Sequence, residues 1–157
     1  MAWRLDEINP GKLRNSGIAT LKQSENTSNL FYFSQSGRLQ HVFYKDGSRS
    51  QSEISHPRLA SQHGAGVAAI CRRGMTDHAE VFWVSPDGSI DACYKYGNDN
   101  WQFYTMIGSN NTAIPGSPVT AISRHENSMD VFWVGNDGSV HGANYASKKG
   151  VGPFPLS

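Results

Sequence analysis

Val131 to Val140 reads VFWVGNDGSV, two apolar runs joined across an Asn-Asp-Gly turn. The same phrase stands upstream as VFWVSPDGSI (Val81 to Ile90) and, with weaker identity, as LFYFSQSGRL (Leu30 to Leu39). Its starts at Leu30, Val81 and Val131 lie 51 and 50 residues apart, a period that marks a chain built from repeated supersecondary units. Within VFWV, strand alternation places Val131 and Trp133 on one face and Phe132 and Val134 on the other. Both faces are apolar, so such a sheet must be covered on two sides. A radial stack, with each sheet sandwiched between neighbours, meets that demand better than an open sheet with one wet face. Asp87-Gly88, Asn136-Asp137-Gly138 and, less strongly, Ser36-Gly37 supply the positive φ angles that tight hairpins need.

The copies continue to agree outward from the hairpin. GIATLKQ (Gly17 to Gln23), GVAAICR (Gly66 to Arg72) and PVTAISR (Pro118 to Arg124) precede it as short strands of small and β-branched residues. LQHVFYKDG, IDACYKYG and VHGANYA follow it as tyrosine-bearing third strands. A fourth element recurs as SQSEISH (Ser50 to His56), WQFYTMI (Trp101 to Ile107) and the closing VGPFPLS, while AWRLDEI (Ala2 to Ile8) reads as an orphan outer strand with Trp3 matching Trp101. No segment carries a helical period. The expected fold is all-β, with β-propeller-type blades in three four-stranded repeats of about 50 residues within a single domain, 1–157. Blade 1 covers about 17–56, blade 2 about 66–107, blade 3 about 118–157, and the orphan strand about 2–8. A β-trefoil, which also closes from three four-strand repeats, is the alternative architecture. Propellers hold about four to eight blades, so three would leave two apolar end faces. Either two chains close a six-bladed ring, or the blades belong to a longer protein.

Composition bounds the function. With 38% hydrophobic and 11% aromatic residues, 157 residues are enough to bury one core. Fourteen basic residues against 13 acidic ones leave a net charge of +1, which provides no field to gather nucleic acid or anionic membrane. No apolar run approaches the roughly 18 residues of a membrane span, and the start MAWRLDEINPGK lacks a secretory leader, so a cytoplasmic location is expected, with secretion after leader removal left open. Cys71 and Cys93 have no metal-ligand spacing and are expected as reduced thiols in the core. Six dispersed histidines and the absence of a phosphate loop or nucleophile elbow point to no cofactor, no metal and no catalysis.

PVTAISRHENSMDVFWVGNDGSVHGANY resembles one blade of the β-propeller lectins of the bacterial Photorhabdus-type and fungal fucose-lectin-like groups. GVAAICRRGMTDHAEVFWVSPDGSIDACYKYG is a second instance, and residues 17–46 are a degenerate third. The resemblance implies sugar binding in clefts between blades, with aromatic rings against the apolar face of a pyranose and charged or amide groups on its hydroxyls. Fungal fucose lectin repeats carry an arginine just before the first apolar run and a glutamate in the third strand. Here those places hold Asn29, Glu80 and Asp130, then His41, Ala92 and Gly142, which argues against fucose itself.

Candidate binding residues follow from repeat position. Arg72 and Arg124 close the first strand of copies two and three, with Gln23 in copy one, and all three side chains can donate to sugar hydroxyls; Glu80 and Asp130 are candidates beside them, and each guanidinium can instead bridge to these carboxylates. Tyr94 and Tyr145 occupy corresponding third strands, Trp101 and Trp3 begin outer strands, and His125 lies in a loop at a sheet end. The expected function is a lectin with several similar shallow sites between blades. Its partners are glycans or glycoproteins and a second copy of itself, without nucleic acid or membrane insertion. The alternative is a protein-interaction scaffold whose sugar sites have eroded.

Overall fold

The computed structural model describes residues 17–55, 66–108 and 112–146. Their strands form three antiparallel sheets, each built from one repeat. The first sheet holds β1 (Ile18–Leu21), β2 (Thr27–Phe33), β3 (Leu39–Lys45) and β4 (Ser48–Ile54), in that spatial order. The second repeats the plan with β5 (Val67–Ile70), β6 (His78–Val84), β7 (Ile90–Tyr96) and β8 (Gln102–Ile107). In the third, β10 (Ser128–Val134) lies between β9 (Val119–Ile122) and β11 (Val140–Ala146). The architecture is all-β and propeller-type. A trefoil is ruled out because every sheet is a meander closed within its own repeat. The expected fourth strand of the third copy, VGPFPLS, and the orphan strand at 2–8 lie outside the described residues.

One turn is used three times. In the second copy Ser85 N–H bonds Ser89 O, and Gly88 N–H bonds Ser85 O, both at 2.9 Å; Ser34/Gly37 and Gly135/Gly138 repeat the pattern. Only the glycine takes positive φ, at 74°, 77° and 81° for Gly37, Gly88 and Gly138, so the preceding Ser, Asp and Asp stay in ordinary backbone regions. This is a type I turn closed by a left-handed residue, the usual three-residue hairpin loop, and Pro86 presets its first corner.

The sheets stack face to face with the alternation read from VFWV. Val81 and Trp83 pack into one cluster with Phe31 and Phe33 of the first sheet; Phe82 and Val84 pack into another with Val131 and Trp133 of the third. All seven residues of β6 are buried. Phe132 and Val134, pointing the other way from β10, are only half-buried, and Val140 is 64% exposed. The first strands run side by side, β5 between β1 and β9, so the sheets converge along them. At that line a Cβ on Gly66 would stand 2.7 Å from Pro118 Cα, which leaves room for glycine alone. Of the two cysteines, Cys93 is fully buried as expected, whereas Cys71 is only half-buried, its thiol 3.4 Å from Met75 O; both are free.

Candidate functional site

The loops that open β2, β6 and β10 share a feature not anticipated from the sequence. Asn26, Asp77 and Asn127 all take positive φ, at 60°, 56° and 47°, one repeat apart. Asn and Asp tolerate that conformation better than other side-chain-bearing residues. Each such residue in the second and third sheets is met from the preceding sheet. Gln23 Nε2 donates to Asp77 O at 2.7 Å, and Arg72 Nη1 donates to Asn127 Oδ1 at 3.4 Å. The two seams between consecutive blades are therefore stitched at the same register, once by an amide and once by a guanidinium.

The seam between the second and third blades is ionic and aromatic. Arg72 Nε and Nη2 grip Glu80 at 2.8 and 3.0 Å, Tyr104 donates its hydroxyl to the same carboxylate at 2.5 Å, and His78 Nε2 lies 3.4 Å away. The Glu80 side chain is fully buried. Burial pushes its pKa up, but the bonds from His78, Arg72 and Tyr104 and the Arg72 charge outweigh burial and hold it below the ordinary carboxylate range. From the far side of the seam the Tyr145 ring lies against the Arg72 guanidinium, 4.5 Å from centroid to Cζ. Tyr94 packs against Tyr96 and Tyr104. Four expected site residues, Arg72, Glu80, Tyr94 and Tyr145, thus converge, and of the two roles open to Arg72 its fork takes the carboxylate bridge.

Amides line the seam between the first and second blades. His41 Nε2 lies 2.7 Å from Asn29 Oδ1, Asn29 Nδ2 donates to Gln23 Oε1 at 3.5 Å, and Gln23 passes the chain on to Asp77 O. In this chain Asn29 Oδ1 accepts, so the neutral His41 carries its proton on Nε2. Beside it opens a cleft of about 380 Å³, walled by His41, Phe43 and Lys45 on the first blade and by Asp77, Lys95 and Asn98 on the second. Trp101, which immediately precedes β8, crosses this seam edge-on to Phe31 and His41, with Lys95 Nζ 5.3 Å from its ring.

Burial, aided by the Lys95 charge, pulls the His41 pKa from 6.5 to about 4. The unfolded chain then binds the proton first as pH falls, so this group's contribution is whole above 6.5 and drains away toward 4. Urea unfolding across that window is expected to show a loss of about 3 kcal/mol that is absent in His41→Gln. An equal slope in the variant would contradict the assignment.

The remaining expected residues fall elsewhere. Arg124 bridges Asp130 at 2.5 and 3.0 Å, but on the face of the third blade turned away from Arg72, so the two arginines do not share a site. His125 is exposed in the β9–β10 loop, where its N–H bonds Ser128 Oγ. Trp3 lies outside the described residues. Asn29, His41, Lys45, Lys95 and Tyr104 were not among the expected site residues, whereas Gln23 was named with Arg72 and Arg124. Their signal is register: aligned on the hairpin, Gln23 stands where Arg72 does and Asn29 where Glu80 does. Among the described residues no group of three or more His, Cys, Asp or Glu side chains could hold a metal ion, and no helix is long and apolar enough to cross a membrane.

No protein-family model matches the sequence, and no curated protein matches it. Solved structures do. The BP39L lectin from Burkholderia pseudomallei superposes with a TM-score of 0.78 at 23% identity, over 91% of this chain and 42% of that one. The chain has the fold of that lectin. AofleA from Arthrobotrys oligospora matches at 0.68 and 18% identity, over 90% of this chain and 42% of its own. A fucose lectin from Kordia zhangzhouensis, solved with methyl-fucoside, matches at 0.57 and 14%, over 85% of this chain and 94% of its own. The chain thus spans about two fifths of BP39L and of AofleA, but nearly the whole of the Kordia lectin.

Proposed function

We propose that this protein is a lectin without catalysis, holding saccharides in shallow clefts at the seams between consecutive blades. One observation carries the reading: two successive seams gather hydrogen-bonding side chains and aromatic rings at the same repeat register, and one of them opens a cleft of about 380 Å³. That volume suits a sugar-sized ligand, and amides, hydroxyls and ammonium groups are the donors that sugar oxygens need. The description of BP39L and of the Kordia protein as lectins supports the ligand class. Repeated weak sites on one rigid body raise avidity through effective concentration, without any new contact.

The repeat also bears on assembly. Arg124 occupies the position of Gln23 and Arg72, yet on its side of the third blade no described blade follows. Carried forward one step, the seam would place Asn26 of a second copy before Arg124, and Tyr44 of that copy where Tyr145 lies against Arg72. Two chains would then close six blades. The chain covers 42% of BP39L, so two copies come close to one such chain in length, and the Kordia lectin is a chain of nearly this size.

Glycan-array binding, with competition by free monosaccharide, tests the reading. Saturable binding and a native mass of two chains are the expected results, together with no turnover of chromogenic glycosides. A folded protein silent across a broad array would instead favour the protein-interaction scaffold.

A further inference from the structure

The two complete seams differ at the two places that flank the cleft. Aligned on the hairpins, Lys45 of the first blade corresponds to Tyr96 of the second, and Lys95 of the second to Tyr145 of the third. The cleft between the first and second blades is thus flanked by two ammonium groups, one from each wall, where the next seam offers two phenol rings. Fixed charge inside the seams differs as well. Between the second and third blades Arg72 and Glu80 cancel one another. Between the first and second the same two places are the neutral amides Gln23 and Asn29, and His41 is uncharged at neutral pH.

Among the described residues Asp77 is the one carboxylate lining the cleft, and its backbone oxygen is the atom that receives Gln23. Among the described residues no carboxylate pairs with Lys45 or Lys95. Lys95 is held over the Trp101 ring, a contact that orients the ammonium without neutralising it. Lys95 is half-buried and Lys45 exposed, so a charge-assisted bond from an anion would return to Lys95 what desolvation takes away, with Lys45 adding a second charge from the opposite wall.

We propose that the cleft between the first and second blades takes a carboxylate-bearing saccharide, its carboxylate held between Lys45 and Lys95 and its hydroxyls by the amide chain, while the Tyr96–Tyr145 seam suits a neutral sugar. This rests on the lectin reading and assigns different ligands to seams that the repeat makes alike in backbone.

The test pairs each methyl hexoside with its uronide, glucose with glucuronate, galactose with galacturonate and mannose with mannuronate, titrated by calorimetry against the full chain. At least one uronide is expected to bind about tenfold tighter than its neutral partner, the effect of one charged hydrogen bond. Added sodium chloride is expected to erode that preference. Lys45→Met/Lys95→Met, checked for an unchanged thermal melt, is expected to abolish that preference. Should that variant fail to fold, the salt dependence of the natural protein decides instead. Neutral sugars bound with no uronide preferred, or a preference indifferent to salt and to both lysines, would overturn this proposal alone. Silence toward every sugar, acid or neutral, would remove the lectin reading and this one with it.

Discussion

Trp83→Ala is expected to lower the unfolding free energy by about 4 kcal/mol, a typical loss for emptying a buried aromatic site. The indole is 1% exposed, and it fills the seam between the first and second blades, edge-on to Phe33 at 6.1 Å between ring centroids. Its neighbours on that side, Phe31, Val81 and Cys93, are themselves fully buried and anchored to two different sheets, so they are poorly placed to collapse into the void. Phe82→Ala, one residue away, is expected to lose a comparable amount, of order 3 kcal/mol or more, although its side chain faces the opposite seam. Urea denaturation of the pair tests the two-sided packing directly. A large loss on one face and a loss below about 1 kcal/mol on the other would show that β6 is covered on one side only, contrary to the stacked-blade fold.

Arg72→Met has the second large expected effect, a loss of about 3–5 kcal/mol, because it strands a charged Glu80 in a site without solvent. Replacing both partners, as Arg72→Met/Glu80→Leu, is expected to restore much of that loss, since the charge that needed the guanidinium is gone. The single variant also has a pH signature. In the natural protein the Glu80 pKa lies below its ordinary 4.5, so its contribution is complete above that value and is lost as pH falls through the folded one. Without Arg72 the balance tips toward burial, the carboxyl takes up a proton more readily, and acid relieves the strain. The gap between natural and variant stabilities is therefore expected to narrow below about pH 4.5; a gap that widens there would contradict the burial of an unpaired charge. Arg124→Met removes a chemically identical bridge to Asp130, whose side chain is 8% exposed but is covered by a guanidinium that is itself 56% exposed; water enters where that guanidinium stood, so a smaller loss than that of Arg72→Met is expected.

How much of the site was legible follows from the same comparison. Arg72, Glu80, Tyr94 and Tyr145 could be singled out because their side-chain chemistry is conspicuous and their repeat positions are marked by the hairpin. Gln23, Asn29 and His41 were recognisable as replacements at those positions, yet nothing in the linear order shows that they join hands and run on to Asp77 in the next blade. The left-handed Asn26, Asp77 and Asn127 recur at the repeat period in plain view, but Asn and Asp are common in loops, and their role as the receiving end of a seam exists only once two blades are adjacent. Lys45 and Lys95 stand on different repeats and become one feature only across the cleft.

By itself the sequence determined the unit: its period, its strands, the Gly-closed turn and the two apolar faces of VFWV, because hairpin geometry and side-chain alternation are local and leave their pattern in neighbouring residues. Tertiary structure alone decided which faces meet, that Arg72 closes on Glu80 while Arg124 remains at the surface, and that one seam is lined by lysines and amides and the next by tyrosines. Those are properties of pairs of blades, and burial, charge pairing and pKa depend on what the neighbouring blade brings across the gap.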